Sequence, residues 1–289
     1  MNKTAQLLRL LRPHHFIKNL FVFVPWLFAR RFESLAELPS LLVIFLLFSL
    51  TAGAIYIFND LCDLEEDRHH PLKKLRPLAA GHISARLAGW FGLLLLIFTI
   101  VAGFLMEWRL GSVLAAYALL NLLYSRWLKQ VAFLDILLVS SGFVLREVAG
   151  AWTLSIYISP WLITATYFLT LLIVVTKREM ALRMSSGEPT ASGENSDRVY
   201  TPSFLRDLEL VLTPMLLVVY VLYTYMRIDS DWFVITIPIV LYTVFRYLHL
   251  TRSQSAVDSP VELLYRDGPL LIGVLLWLAT VVVILGLGV

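Results

Sequence analysis

The chain has 289 residues, of which 58% are hydrophobic and 16% are charged, whereas a soluble domain carries about 25% charged residues. This composition excludes an ordinary soluble globular domain, and the single cysteine, Cys62, excludes an intrachain disulfide and a CxxC metal site. The net charge of +3 favours contact with anionic lipid or a phosphorylated substrate over contact with nucleic acid.

Apolar segments of about 20 residues recur along the chain and predict an all-α polytopic membrane protein. A helix of that length crosses the hydrocarbon core with its backbone hydrogen bonds satisfied. We predict one integral membrane domain, residues 1–289, without an internal repeat or a cleavable signal. Its spans number about nine: 14–30, 38–58, 86–106, 109–125, 132–152, 160–177, 207–226, 232–250 and 269–288.

Lysine and arginine are distributed unequally between the two sides of these spans. Most of the 24 fall on one side, which the positive-inside rule makes cytoplasmic. We therefore expect an integral membrane protein, in a bacterium one of the inner membrane, whose N-terminus and active site lie in the cytoplasm. The long polar segments on that side form the predicted cap: about 59–85, 177–206 and 251–268. Residues 185–197 have the composition of a mobile loop.

The densest acidic segment follows the second predicted span. On an α-helix, Asn59, Asp60, Asp63 and Asp67 lie within about 100° of one another, whereas Glu65 points away. Carboxylate and amide oxygens suit Mg²⁺, which commonly bridges protein carboxylates to substrate phosphates. We therefore predict that these four residues bind Mg²⁺, that the aspartates are catalytic and that Asn59 also contacts substrate. A solvated helix end with scattered acids is the alternative.

A basic segment follows the acidic one directly. Positive charge is common in cytoplasmic loops, but its interleaving with carboxylates favours a phosphorylated ligand, which needs both signs of charge. We predict that Arg68, His70, Lys73 and Arg76 bind substrate. A hydrogen-bonding or solvated role is the alternative for His69 and His70, whose spacing disfavours a histidine metal site.

The segment from Asn59 to Gly81, NDLCDLEEDRHHPLKKLRPLAAG, resembles the first signature of the UbiA superfamily of intramembrane prenyltransferases, NDxxDxxxDRxHPxKxxRPxAxG. This resemblance covers essentially the whole chain. It implies nine helices around a lateral cavity open to lipid, with Mg²⁺ and a diphosphate held at a cytoplasmic cap. RPHHFIKNLFVFVP (12–25) and YSRWLKQVAFLDILLVSSGFVLREVAGAW (124–152) are similar to one branch, the decaprenyl-phosphate phosphoribosyltransferases.

The second half of the chain lacks the second acidic motif, DxxxD, that aromatic prenyltransferases of the superfamily carry after the sixth helix. TKREMALRM stands at that place, with Lys177, Arg178 and Arg183. One acidic and one basic cluster suit one Mg²⁺-diphosphate and a further bare phosphate. They fit phosphoribosyl diphosphate (PRPP) as donor and a lipid monophosphate as acceptor. Anchoring at the lipid interface is the alternative for Lys177 and Arg178.

The resemblance also nominates isolated polar residues for substrate binding: Lys18, Tyr124, Lys129, Arg146 and Arg266. A charge inside a span usually pairs or serves a site, so a structural pair with Glu147 is the alternative for Arg146. A helix cap explains Arg266 and Asp267 equally well.

These observations and the resemblance predict an enzyme that moves 5-phosphoribose from PRPP to a polyprenyl phosphate such as decaprenyl phosphate. The reaction would be Mg²⁺-dependent and release diphosphate. A prenyltransferase acting on a small acceptor is the first alternative, and the missing DxxxD motif disfavours it. A transporter is the second, and it is disfavoured because the charges concentrate at one face. The expected partners are PRPP, the polyprenyl phosphate and membrane lipids, with homo-oligomerisation left open.

Overall fold

A computed structural model describes residues 3–33, 35–69, 73–184, 199–227, 230–253, 263–264 and 266–287. These ranges contain helices and no strand, which confirms the predicted all-α class. The chain divides into two compact units, Met1–Tyr157 and Ile158–Val289. The single integral membrane domain stays a prediction.

The first unit is built around one long buried helix. Its α-helices are α1 (Lys3–Leu10), α2 (Val24–Phe28), α3 (Leu38–Cys62), α4 (Leu64–His69), α5 (Ala85–Met106), α6 (Trp108–Arg126) and α7 (Leu134–Thr153). The helix α3 packs against α5 and α6. Small buried residues such as Ala52 and Ala54 let these neighbours approach closely. This makes α3 the centre of the unit and fixes the position of its C-terminal end.

The first predicted span, residues 14–30, is not a continuous α-helix, and that part of the prediction is wrong. The chain forms a 3₁₀ helix over Pro13–Phe23 and then the short helix α2, with Pro25 in its first turn. Proline has no backbone N–H, so an α-helical hydrogen-bond ladder cannot run unbroken through residue 25. The 3₁₀ helix packs against α3 and α7.

The described residues of the acidic and basic segments between α3 and α5 include helical structure. They contain α4 and a 3₁₀ turn, Lys73–Leu75. Gly81 has φ 74°, a conformation that glycine adopts without steric cost. The hydroxyl of Ser84 accepts from the Leu87 N–H at 3.3 Å and caps the start of α5.

The second unit contains α8 (Pro160–Met184), α9 (Pro202–Arg227), α10 (Thr236–Ser253) and α11 (Gly268–Leu287). The helix α8 continues past the predicted end at residue 177, so Lys177, Arg178 and Arg183 lie on its last turns and not in a loop. The helix α9 begins at Pro202, earlier than predicted, because proline suits the first turn of a helix. Residues 185–197 lie outside the described ranges.

Six of the described helical segments are long and apolar enough to cross a membrane: Leu35–Cys62, Ala85–Met106, Pro160–Arg183, Pro202–Met226, Asp231–Ser253 and Gly268–Leu287. The predicted spans 109–125 and 132–152 are helical, as α6 and α7, but are not among the six. The helix α7 buries charged residues such as Arg146 and Glu147, which lowers its apolar character. The predicted number of nine spans is therefore not confirmed.

Candidate active site

The acidic segment keeps helical spacing across the break between α3 and α4. The Asp63 N–H bonds to the Asn59 carbonyl at 3.0 Å, and the Asp67 N–H bonds to the Asp63 carbonyl at 2.8 Å. The side chains of Asp60 and Asp67 are buried, at 3% and 1% exposure, while Asp63 is 31% exposed. Glu65 is 77% exposed and pairs with Arg68 at 2.6 Å, away from the buried aspartates.

Arg76 joins the two buried aspartates. One guanidinium nitrogen lies 3.2 Å from Asp60 Oδ1 and 2.5 Å from Asp67 Oδ2. The side chain of Arg76 is 29% exposed, so its head group is partly open to solvent. Arg76, a predicted substrate-binding residue, therefore forms ion pairs with two predicted metal ligands.

The end of α6 and the turn after it approach the same acidic segment. Ser125 Oγ donates to Asn59 Oδ1 at 2.6 Å, and Lys129 Nζ donates to Asp63 Oδ1 at 2.9 Å. Lys129 was a predicted site residue, whereas Ser125 was not. The tertiary fold thus joins two segments that lie 66 residues apart in the chain.

Arg12 is the member of this cluster that the sequence analysis missed. Its guanidinium forms an ion pair with Asp60 and lies over the Tyr56 ring, 5.2 Å from the ring centroid. Arg12 is the first residue of the RPHHFIKNLFVFVP segment, but it was given no role there, because nothing in the linear pattern places it beside α3. We call Asp60, Asp63, Asp67, Arg12, Arg76 and Lys129 the acid–base cluster.

The chemistry of these residues fits Mg²⁺. Asp67 Oδ1 is buried and receives no hydrogen bond, although an unsatisfied buried carboxylate oxygen costs roughly 1–3 kcal/mol or more. Hard oxygen donors of this kind are the ligands that Mg²⁺ takes. In the described part of the chain, no three His, Cys, Asp or Glu side chains are gathered closely enough to hold a metal ion. The aspartates face basic side chains of the protein instead.

The other predicted residues of the first unit differ in how far their side chains are exposed. Lys73 and Tyr124 are half-buried, and Lys18 is half-buried on the 3₁₀ helix Pro13–Phe23. Arg68 is 48% exposed beside Glu65. His70 lies outside the described residues.

Arg146 is enclosed by protein and lies 4% exposed. Its guanidinium donates to Asn19 Oδ1 at 2.7 Å, to the Gly142 carbonyl at 2.6 Å and to Tyr117 Oη at 3.0 Å. It also lies over the Phe48 ring at 5.1 Å. These contacts bind the N-terminal 3₁₀ helix to α7 and use three of the five N–H donors of the guanidinium.

The basic residues of α8 have separate surroundings. Lys177 is exposed, and Arg178 lies over the Tyr200 ring at 4.5 Å. Arg183 donates to the carbonyls of Thr251 and Arg252 at 2.6 and 2.9 Å. Arg183 therefore satisfies the C-terminal carbonyls of α10, which a helix end leaves without partners.

Two buried carboxylates of the second unit were also missed. Glu179 and Glu209 are each 3% exposed. Arg206 donates to Glu179 at 3.0 Å, and Arg252 lies 3.7 Å from Glu209. These ion pairs tie α9 to α8 and α10. The residues stand at no recognisable motif spacing, so only their tertiary contacts reveal them.

The start of α11 carries a helix cap, one of the two roles considered for the RDG sequence. Asp267 Oδ1 accepts from the Leu270 N–H at 2.8 Å, and Arg246 donates to both carboxylate oxygens at 3.1 and 2.6 Å. The hydrogen bond from Arg246 lowers the pKa of Asp267; burial opposes this effect, and the Leu270 N–H adds to it. Arg266, beside it, is exposed.

A model of the UbiA prenyltransferase family matches residues 20–265. The chain belongs to this family. It is an integral membrane protein, as its family and its six apolar helices show. The match includes most of the acid–base cluster.

Curated relatives and a solved structure extend this comparison. The decaprenyl-phosphate phosphoribosyltransferase of Mycobacterium tuberculosis is 28% identical over 286 residues, covering 97% of this chain and 94% of its own length. The enzyme of the same name from Mycolicibacterium smegmatis is 30% identical over 295 residues, covering 97% and 92%. The structure of a UbiA homolog from Archaeoglobus fulgidus bound to DMAPP and Mg²⁺ has a TM-score of 0.73 at 17% identity, covering 97% of this chain and 99% of that one.

Proposed function

We propose that this protein transfers 5-phosphoribose from PRPP to a polyprenyl phosphate such as decaprenyl phosphate, releasing diphosphate. The observation that carries the proposal is the acid–base cluster, in which Asp60, Asp63 and Asp67 each meet a basic side chain. A site for a metal-bound diphosphate needs both kinds of group in one place. The names of the mycobacterial relatives support the choice of donor and acceptor.

The aspartates would hold Mg²⁺, with Asn59 assisting. When bound, Mg²⁺ would supply neutralising charge for the diphosphate as it leaves. The buried oxygen of Asp67 without a hydrogen bond supports a cation at this place. The helix α3 holds Asp60 rigidly, because its buried packing fixes the backbone from which the carboxylate projects.

The basic residues would bind phosphate oxygens. Arg76 offers a planar fork of N–H donors suited to phosphate, and Lys129 offers a compact charge from the other side. Both are only partly exposed, at 29% and 18%, which strengthens their electrostatic attraction relative to bulk water. We assign Lys73, Arg68 and His70 to the same phosphate-binding role, and Lys177 and Arg178 to the acceptor phosphate.

The reaction breaks the bond between the ribosyl anomeric carbon and the diphosphate oxygen and forms a bond from that carbon to an acceptor phosphate oxygen. The ribosyl carbon takes on oxocarbenium character, as in other glycosyl transfers. The acceptor phosphate is already an anion near neutral pH, so the protein needs no general base. Catalysis would come from holding donor and acceptor in line and from stabilising the leaving group.

We infer that the site faces the cytoplasm across a bacterial inner membrane. The acid–base cluster stands at the C-terminal end of α3, beside the basic segment that follows it. Lysine and arginine concentrate on the cytoplasmic side of membrane proteins. PRPP is water-soluble and the polyprenyl chain is not, so a site at this boundary would meet both substrates.

The purified protein in detergent should move label from radiolabelled PRPP into the lipid phase when given Mg²⁺ and a polyprenyl phosphate. A chelator should abolish the transfer, and added Mg²⁺ should restore it. Absence of label in the lipid phase, with transfer instead from a polyprenyl diphosphate to a small acceptor, would replace the proposal with prenyl transfer. The family's own description as prenyltransferases makes that the second candidate.

A further inference from the structure

We propose that Arg12 is a further donor-binding residue, which pairs with Asp60 before the donor binds and with the donor's diphosphate afterwards. This inference rests on the proposed function, because it concerns the same donor site. Arg12 is absent from every assignment made above for substrate binding. Three features support this role for Arg12: its ion pair with Asp60, its backbone conformation and the charge balance of the acid–base cluster.

The backbone of Arg12 lies in the left-handed region, with φ 51° and ψ 61°. This conformation is unfavourable for a non-glycine residue and persists only where surrounding contacts hold it. Leu11 is buried, and an added Cβ on Gly53 would lie 2.9 Å from Leu11 Cδ2. This close approach of the chain to α3 fixes the backbone at Arg12 and directs its side chain to Asp60. Strained residues held in this way concentrate at functional sites.

The side chain of Arg12 is partly accessible even though its partner is not. Arg12 is 21% exposed and Asp60 is 3% exposed. The guanidinium also lies over the Tyr56 ring, at 5.2 Å from the centroid. A phosphate entering from solvent would therefore meet Arg12 before it met Asp60.

The charge balance of the cluster requires an exchange of partners when a metal and a diphosphate enter together. The carboxylates of Asp60, Asp63 and Asp67 are matched by Arg12, Arg76 and Lys129. A metal ion that takes the carboxylates displaces these cations from them. The displaced cations then stand beside the diphosphate, whose oxygens replace the lost ion pairs. Asp60 carries two guanidinium partners, Arg12 and Arg76, so Arg12 can leave without stranding the carboxylate.

The exchange predicts opposite effects on metal and anion binding when Arg12 is replaced. Arg12→Gly removes the charge and relieves the left-handed backbone. The variant should bind Mn²⁺ alone about fivefold more tightly, because one competing cation is gone. It should bind inorganic diphosphate in the presence of Mn²⁺ at least about fivefold more weakly, because one charge-assisted contact is lost. Arg12→Lys should recover part of the diphosphate affinity.

Arg30→Gly is the matched control. Arg30 is another arginine with positive φ, 56°, and it precedes the start of α3, the end opposite the cluster. Mn²⁺ binding to the purified full chain is measured from the electron paramagnetic resonance signal of free Mn²⁺, and diphosphate binding by calorimetry. Arg30→Gly should change neither affinity.

The outcomes separate this inference from the proposed function. If the wild-type chain binds no diphosphate in the presence of Mn²⁺, the donor site itself is wrong. If the wild-type chain binds both, the inference is overturned by an Arg12→Gly variant that weakens both, since Arg12 then only positions Asp60. An Arg12→Gly variant indistinguishable from the wild type overturns it equally. Tighter metal and weaker diphosphate together establish the exchange.

Discussion

Arg146 Nε donates to Asn19 Oδ1 at 2.7 Å, although the two residues are 127 positions apart. Asn19 in turn donates to Ser49 Oγ at 2.9 Å. These two buried contacts tie the N-terminal 3₁₀ helix to α7 and to α3. The segment that carries Arg12 is thereby held against the helix that carries Asp60, so the buried side chain of Arg146 helps to set the geometry of the candidate site.

We predict that Arg146→Met destabilises the protein by about 3 kcal/mol. The change removes three hydrogen bonds from a charged donor and leaves the buried amide of Asn19 without one of its partners. Thermal unfolding of the detergent-solubilised protein measures the loss. Arg109→Ala, which removes two exposed hydrogen bonds, to the Trp152 carbonyl and to Ser155 Oγ, should change the unfolding temperature little. Equal effects of the two changes would contradict this role for Arg146.

Gly150→Ala should destabilise the first unit by about 1–3 kcal/mol. A Cβ at Gly150 would overlap the carbonyl oxygen of Val22, and a backbone atom inside a packed helix cannot move aside easily. Gly142→Ala on the same helix is the control, because its Cβ would lie 3.5 Å from its nearest neighbours. Alanine is also the better helix former, so Gly142→Ala should be neutral or mildly stabilising. Circular dichroism melting curves of both variants provide the comparison.

Asp63→Ala should reduce phosphoribosyl transfer at least about a hundredfold while the fold is retained. Asp63 is 31% exposed, so its removal leaves no buried cavity, but it takes away a predicted metal ligand and the partner of Lys129. Glu65→Ala should retain near-normal transfer, since Glu65 is 77% exposed and faces Arg68. Rates are measured with labelled PRPP at saturating Mg²⁺. Normal activity in Asp63→Ala would remove the metal-site hypothesis.

The Asp267–Arg246 pair should stabilise the second unit in a pH-dependent way. Because the folded-state pKa of Asp267 is lowered, its contribution is complete above the unfolded pKa of about 3.9 and is lost as pH falls through the folded value. Arg246 is a third exposed, so solvent screens the pair and its contribution is small. Asp267→Asn should lower the unfolding temperature at pH 7, and its difference from the wild type should shrink below pH ~4. If the difference in unfolding temperature between Asp267→Asn and the wild type grew as the pH fell, the predicted direction of the pH dependence would be wrong.

The local chemistry of the site was readable from the sequence. Asn59, Asp60, Asp63 and Asp67 follow an apolar helix at helical spacing, and the structure keeps that spacing through backbone hydrogen bonds. A period of 3.6 residues is a local property, so it survives even where the helix breaks at Asp63. The all-α class follows from composition for a similar reason, since apolar length alone dictates helices in lipid.

The tertiary contacts of the predicted segments could not be read from the sequence in the same way. The sequence predicted a helical first span and a loop at Lys177, but Pro25 interrupts the first and α8 continues through the second. For Arg146 it predicted ligand contact or a pair with Glu147, whereas the structure shows donation to Asn19 and Tyr117. Which residues meet Arg146 depends on tertiary packing, and linear spacing does not show it.

Local patterns along the chain predicted the all-α class and the helical spacing of the acidic segment, because hydrophobic length and helical period act between neighbours in the chain. That Arg12 and Lys129 reach the aspartates is visible only in the folded protein. Those contacts span 48 and 66 positions, and they arise from close packing at Gly53 and from the meeting of the ends of α3 and α6. Such meetings depend on the shapes of surfaces formed by many residues together.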